Sequence, residues 1–221
     1  MNIFSYIMVH DYGLAPNPFG AYCTLAVCKP LIRNNNNLEI GDWIIATGGV
    51  KLHAPDHLIY AMKVSEIITM QKYWNDKRFQ YKKPIPNGSL MQIYGDNIYH
   101  YDENVKNPKI TDWQQADSAH SLDGGKLNVN HRNVDVGHGS NVLVATEFYY
   151  WGENAIPIPS NLKDVCHKGI GMRYDKIEES VRSKFVEWLR SKYRPGIYGK
   201  PTNWKKDYNI KKNYLSCDEE E

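Results

Sequence analysis

No apolar run in this chain approaches the roughly 20 residues that a membrane-crossing helix requires. Its opening MNIFSYIMVHDYG lacks the basic flank and long apolar core of an export signal, so a soluble cytoplasmic protein is expected. An excess of one charge is also missing. The 27 Lys and Arg against 25 Asp and Glu in 221 residues leave little net field for indiscriminate adhesion to duplex nucleic acid. The four cysteines, Cys23, Cys28, Cys166 and Cys217, include no C-x-x-C pair, which excludes a disulfide scaffold and implies reduced thiols. Cys23 and Cys28 stand at an odd offset, so on one strand they face opposite ways and share no zinc. Internal repeats are absent, as are a P-loop, G-x-S-x-G, H-E-x-x-H and a G-x-G-x-x-G opening a helix. No familiar enzyme signature, metal site or cofactor is read from the chain.

What is present is 42% apolar content, enough for a sizeable core. IFSYIMV at Ile3 to Val9 and YCTLAVC at Tyr22 to Cys28 carry the β-branched and aromatic bias of strands. After the polar tract Arg33 to Asn37, a third strand reads WIIATGG from Trp43, and Leu58 to Ile67 fits a fourth. Thr69 is placed to cap a single helical turn through Trp74. From Gln80 to Asn141 regular signals thin out, and long irregular stretches of this kind are usually functional or mobile. Strand character returns over Asn141 to Tyr150. A final helix is expected from about Lys176 to Lys192, with Asp175 and Glu178 spaced as a capping box. Its stripe of Ile177, Val181, Phe185, Trp188 and Leu189 should pack on the sheet.

The expected organisation is one α+β domain over residues 1–221. It has a core at 1–160 interrupted by the 80–141 insertion, a helix within 161–195, and a basic then acidic tail at 196–221. The basic C-terminal residues have a plain reading as a solvated tail and a second as a contact for a protein partner.

The densest chemistry lies between the first two strands. His10, Tyr12, Asn17, Phe19 and Tyr22 crowd a loop whose only structural task is to turn the chain. Together with Trp43, Trp74, Asn87, Asp96 and Asn97 they offer flat π faces and polar groups suited to a nucleobase. Each aromatic also has a plain reading as core packing. Thr47 and Gly48 close a strand where backbone could approach a ligand, although a tight turn explains the glycine equally well. His10 and Asp11 could serve as acid and base, with Cys23 or Cys28 as a nucleophile and Asp96 as a further acid, base or nucleophile. An inert buried thiol is the plain reading of either cysteine. HRNVDVGH, from His131 to His138, offers His and Asp side chains for a metal on what reads as a flexible loop.

The blocks YIMVHDYGLAPNPFGAYCTLAVCKP, GDWIIATGG, YAMKVSEIITMQKYWNDKRF, KKPIPNGSLMQIYGDNIYHYDE and FYYWGENAIPIP together resemble a nucleotide-modification-associated domain, the second type so named, over residues 1–160. That family occurs in bacteria and phages, and the resemblance implies a role around modified nucleotides or DNA. The Gly41-Asp42 turn with its following strands is similar to PUA, ASCH and EVE domains. This implies a PUA-like small β-barrel or curved mixed sheet, with a long loop insertion and a packed C-terminal helix. The resulting expectation leans to a non-enzymatic reader of a modified base or nucleotide, without a membrane role. An enzyme using His10 and Asp11, or a protein-interaction module, is the alternative.

Overall fold

The computed structural model describes residues 1–204. The expected tail beyond, with Cys217, lies outside the described residues. The strands are β1 (Ile3–Met8), β2 (Cys23–Leu25), β3 (Trp43–Gly48), β4 (His57–Lys63), β5 (Glu66–Thr69), β6 (Tyr99–His100), β7 (Gln114–Gln115), β8 (Asn141–Ala145), β9 (Glu147–Tyr150), β10 (Ile156–Pro157), β11 (Met172–Arg173) and β12 (Gly196–Ile197). The helices are α1 (Pro30–Arg33), α2 (Met70–Asn75), α3 (Leu90–Ile93), α4 (Val129–Gly137) and α5 (Glu179–Lys192).

The main sheet is seven-stranded and runs β11-β1-β3-β4-β9-β12, with β10 also pairing onto β4. β1 and β3 are parallel, in register from Ile3 opposite Trp43 to Met8 opposite Gly48. Every residue of β3 is buried, as befits a central strand covered on both faces. Alternation sends Phe4, Tyr6, Ile44, Ala46 and Tyr150 into one core, and Ile3, Trp43, Ile45 and Tyr149 into another beneath α5. Ile177, Phe185 and Leu189 are buried there, with Val181 and Trp188 packed against them, so the helix stripe meets the sheet.

The fourth strand is broken at Val64-Ser65, and the strand at 141–150 is broken at Thr146. The β4/β9 ribbon thereby bends into the β5/β8 ribbon. Ser65 fastens the corner, its amide and hydroxyl donating to Val144 O at 2.8 and 2.9 Å. Beyond the corner lies a three-stranded sheet, β2-β8-β5. The curved mixed arrangement is present, but no described sheet closes into a barrel. Closure would require β2 to meet β1, whose free edge is taken by β11 through Ser5–Arg173 and Tyr6–Met172.

The insertion is not an irregular loop. It carries α3, the β6/β7 ribbon and α4, and contributes Tyr94, Ile98, Tyr99 and Trp113 to a third core on the outer face of the small sheet. Val142 and Val144 reach that core, while the alternate Leu143 and Ala145 reach the first. HRNVDVGH lies in α4, capped by Asn128, whose side chain accepts from the Asn130 and His131 amides at 3.1 and 3.2 Å. At α2 the expected cap forms, with Thr69 accepting from the Lys72 amide at 3.2 Å. The Asp175–Glu178 capping box does not form. α5 begins later, at Glu179, with no side-chain cap from Glu178.

Candidate active site

β2 stops at Leu25, and the chain passes through Cys28 and Lys29 before Pro30 opens α1. Both residues take the left-handed conformation, φ 55° and 43°, which costs roughly 1 kcal/mol or more for a side chain carrying Cβ. The turn presents the Cys28 thiol to His120. Sγ lies 3.5 Å from Nε2, and the other ring nitrogen, Nδ1, lies 3.0 Å from Asp135 Oδ2. A carboxylate only accepts, so Nδ1 donates to Asp135 and Nε2 is the edge that faces sulfur. Nucleophile, base and orienting carboxylate therefore stand in a Cys–His–Asp chain.

Each member is held from several directions. Asp135 Oδ1 accepts the Cys28 amide at 2.5 Å. Arg33, itself buried, donates to Cys28 O at 2.7 Å, Asn141 O at 2.6 Å and Asp135 O at 2.8 Å, tying α1 to α4 and β8. Gln115 Nε2 reaches His120 O at 3.1 Å and the Tyr99 hydroxyl at 3.2 Å. His120 and Asp135 are buried, whereas Cys28 is half-buried, so the base is dry.

Burial by itself would lower the His120 pKa. Thiolate charge at Cys28 and the Asp135 carboxylate outweigh it, and the value is raised to about 10. Burial also opposes the charge on Asp135, yet the imidazolium, Arg33 and the Cys28 amide hold that carboxyl below its usual range. A cationic imidazole beside sulfur is the setting in which a cysteine thiol most readily becomes the reactive thiolate. Because the Cys28 amide is spent on Asp135, an oxyanion forming beside sulfur would need other donors.

The residues expected to line a base pocket fall in separate places. Trp43 is fully buried under α5, stacked on Tyr149, across the main sheet from Tyr150, to which the N-terminal loop is bonded. Thr47 is buried, and Gly48 admits Ala54, whose Cβ would lie 2.6 Å from any Cβ placed there. Trp74 sits between the His100 ring, at 3.9 Å, and Lys83 Nζ, 3.6 Å from its ring centroid. Asn87 is exposed. Within the loop His10 stacks on Tyr12 at 6.2 Å and Tyr12 on Tyr94 at 5.1 Å, and the buried His10 Nε2 has no hydrogen-bond partner. Phe19 stacks on Trp204, and Tyr22 meets Phe79 edge-on.

Asp11 has a fastening role. Its carboxylate accepts from the Tyr150 hydroxyl, the Gly13 amide, and the Thr202 amide and hydroxyl. Its backbone exchanges bonds with Asn203 at 2.9 and 3.0 Å. It is therefore fully engaged and does not pair with His10. Cys23 is buried in the core, with its thiol pushed up to about 12 by burial.

Asp96 is buried with Lys82. It accepts from the Thr24 and Tyr73 hydroxyls at 2.6 and 2.7 Å, while Lys82 Nζ donates to Asn17 O and Oδ1 at 2.9 and 2.7 Å. Burial lowers the Lys82 pKa to about 8, against the pull of Asp96. Asn97 ties Tyr73 O and Phe79 O from the same knot. Asn17, Asp96 and Asn97 are thus brought together in one buried polar network.

Sequence reasoning considered Cys28 as a nucleophile and flagged the stretch containing Asp135, but it missed His120 and the triad. The partners lie 92 and 107 residues from the thiol or its amide, beyond any local signature. The left-handed turn before Pro30 left no glycine to mark it. Of the stretch read as a metal loop, His131 sets its ring against His120 at 4.4 Å, Asp135 serves the triad, and His138 is the exposed C-cap of α4.

Among comparisons with known proteins, a family model described as nucleotide modification associated domain 2 matches residues 1–208. No curated protein and no solved structure matches the chain.

Proposed function

The chain belongs to the nucleotide modification associated domain 2 family, and from that premise we propose that it is a cysteine-dependent enzyme acting on an acyl or amide group of a nucleotide. The observation that carries this reading is the Cys28–His120–Asp135 chain on a strained turn. The Cys28 thiolate adds to the carbonyl carbon. The tetrahedral intermediate collapses as His120 gives its proton to the departing amine or alcohol, leaving a thioester on sulfur. His120, now neutral, takes a proton from water or an acceptor amine as it attacks the thioester, and the thiolate leaves with the product formed. Asp135 holds the ring so that Nε2 faces both events. The nucleobase is placed, in the same reading, at the His10–Tyr12–Tyr94 stack, since Tyr12 and Cys28 both pack on the third core.

Alkylation of Cys28 by iodoacetamide, followed by peptide mass spectrometry from pH 5 to 10, tests the ion pair. Wild type should react at pH 6.5 at least tenfold faster than His120→Gln, whose thiol should wait for an ordinary pKa near 8.5. Equal profiles would sink the reading. Incubation with plain and acylated nucleotides should then give turnover that Cys28→Ala abolishes while still binding. Turnover surviving that substitution would also overturn the mechanism, and binding without turnover by wild type would leave a base reader.

A further inference from the structure

α4 buries three residues, Arg132, Asp135 and Val136, which share one helical face. Asp135 is fully employed in the triad. Arg132 stands three residues earlier, about 4.5 Å along the helix axis, and its environment is different. The residue is only 7% exposed, yet its guanidinium meets a single neutral atom, the Oδ1 of neighbouring Asn133, at 3.4 Å from Nε and 3.3 Å from Nη2. Among the described residues no carboxylate pairs with it. Arginine this deeply placed is almost always matched by an anion, because an unmatched buried charge is costly.

Two neighbours point the same way. His131, adjacent to Arg132, lies against the triad imidazole. Lys29, adjacent to Cys28, is half-buried with its Nζ 5.1 Å from the Tyr6 ring centroid, and it too forms no ion pair among the described residues. The cap residue Asn128 already occupies the Asn130 and His131 amides, so recognition of an anion falls to side chains rather than to those helix-end amides.

We infer that Arg132, assisted by Lys29, forms an anion subsite beside Cys28 that takes the phosphate of the substrate. The guanidinium offers a planar fork matched to two phosphate oxygens, which Asn133 cannot satisfy. The inference rests on the catalytic reading of the triad and narrows its substrate to a phosphate-bearing nucleotide rather than a free base or nucleoside. A 5′-monophosphate and a phosphodiester in a strand present the same chemistry.

Protection of Cys28 from iodoacetamide reads the subsite without any turnover. The probes are the four 2′-deoxynucleoside 5′-monophosphates, the matching nucleosides, inorganic phosphate and a single-stranded oligonucleotide. At least one monophosphate, or the oligonucleotide, should half-protect the thiol at a concentration tenfold or more below that of its nucleoside. Arg132→Gln should erase that difference, and Arg132→Lys, which keeps the charge, should retain part of it in a comparably folded chain. Protection by the oligonucleotide alone assigns the subsite to a phosphodiester. Equal protection by nucleosides and monophosphates with none by the oligonucleotide, no protection by any probe, or full discrimination in Arg132→Gln would overturn the inference. A failure confined to protection leaves the ligand-free pH profile of Cys28, and with it the triad, standing.

Discussion

His120 shows how far one side chain's chemistry is set by its neighbours. An unfolded histidine titrates near pH 6.5, whereas in the fold the thiolate and Asp135 raise the value to about 10 against the effect of burial. The folded state holds this proton more tightly. Its stabilising contribution is therefore whole below about pH 6.5 and fades as the pH climbs towards 10. Urea midpoints of wild type and His120→Gln should differ most near pH 6, and the gap should narrow by at least about 1 kcal/mol by pH 10. A gap that stays constant or widens would deny the raised pKa. Cys23 is the contrasting case. It is a residue of the same type with its thiol pushed up to about 12 by a closed apolar site, and its environment gives it packing and no reactivity.

At the level of elements, short pieces do the positioning. α1 is a single turn, yet Arg33 at its end spans to α4 and β8 and so sets the distance between thiol and imidazole. β6 contributes two residues with alternate faces: Tyr99 turns to Gln115 and His100 to Trp74. At the end of β3 the backbone makes a close approach to Ala54. A Cβ at Gly48 would meet Ala54 Cβ at 2.6 Å and its carbonyl oxygen at 2.8 Å. Gly48→Ala should therefore cost about 1–3 kcal/mol in chemical denaturation. Loss of nucleotide binding with unchanged stability would instead point to a ligand at this turn.

Over the whole molecule, residues remote in sequence are drawn together at two buried polar knots and one clasp. The clasp joins the N-terminal loop to residues 201–204. Asp11 takes Tyr150 and Thr202, Trp204 Nε1 donates to Tyr12 O at 2.9 Å, and Phe19 stacks on the Trp204 ring. Removing the carboxylate strands a buried tyrosine hydroxyl and a partly buried amide, at roughly 1–3 kcal/mol per group. Asp11→Ala should lower unfolding free energy by about 3 kcal/mol, and limited proteolysis should cut first near residue 200. A loss below about 1 kcal/mol would show that the clasp is not closed in solution.

How much was legible in the sequence follows from the range of the interactions concerned. Alternation and β-branched bias located β1, β3 and the 58–67 and 141–150 strands, and a 3.6-residue stripe located α5, because those signals act between near neighbours. The Thr69 cap was legible for the same reason. The corners at Ser65 and Thr146 and the open rather than closed sheet were not, since they depend on which edge β11 occupies. Family membership was carried by the order of the blocks, and the match to residues 1–208 extends it past the 160 that the blocks spanned. Aromatic density around the N-terminal loop was visible, but whether a ring faces solvent or core is decided by packing, and Trp43 went to the core. The sequence by itself determined the long strands of the core, the helix α5 and the kinship. Only the tertiary structure decided that Cys28, His120 and Asp135 meet and that Arg132 is buried without an anion, because such juxtapositions arise from chain folding over about a hundred residues, and no local pattern encodes them.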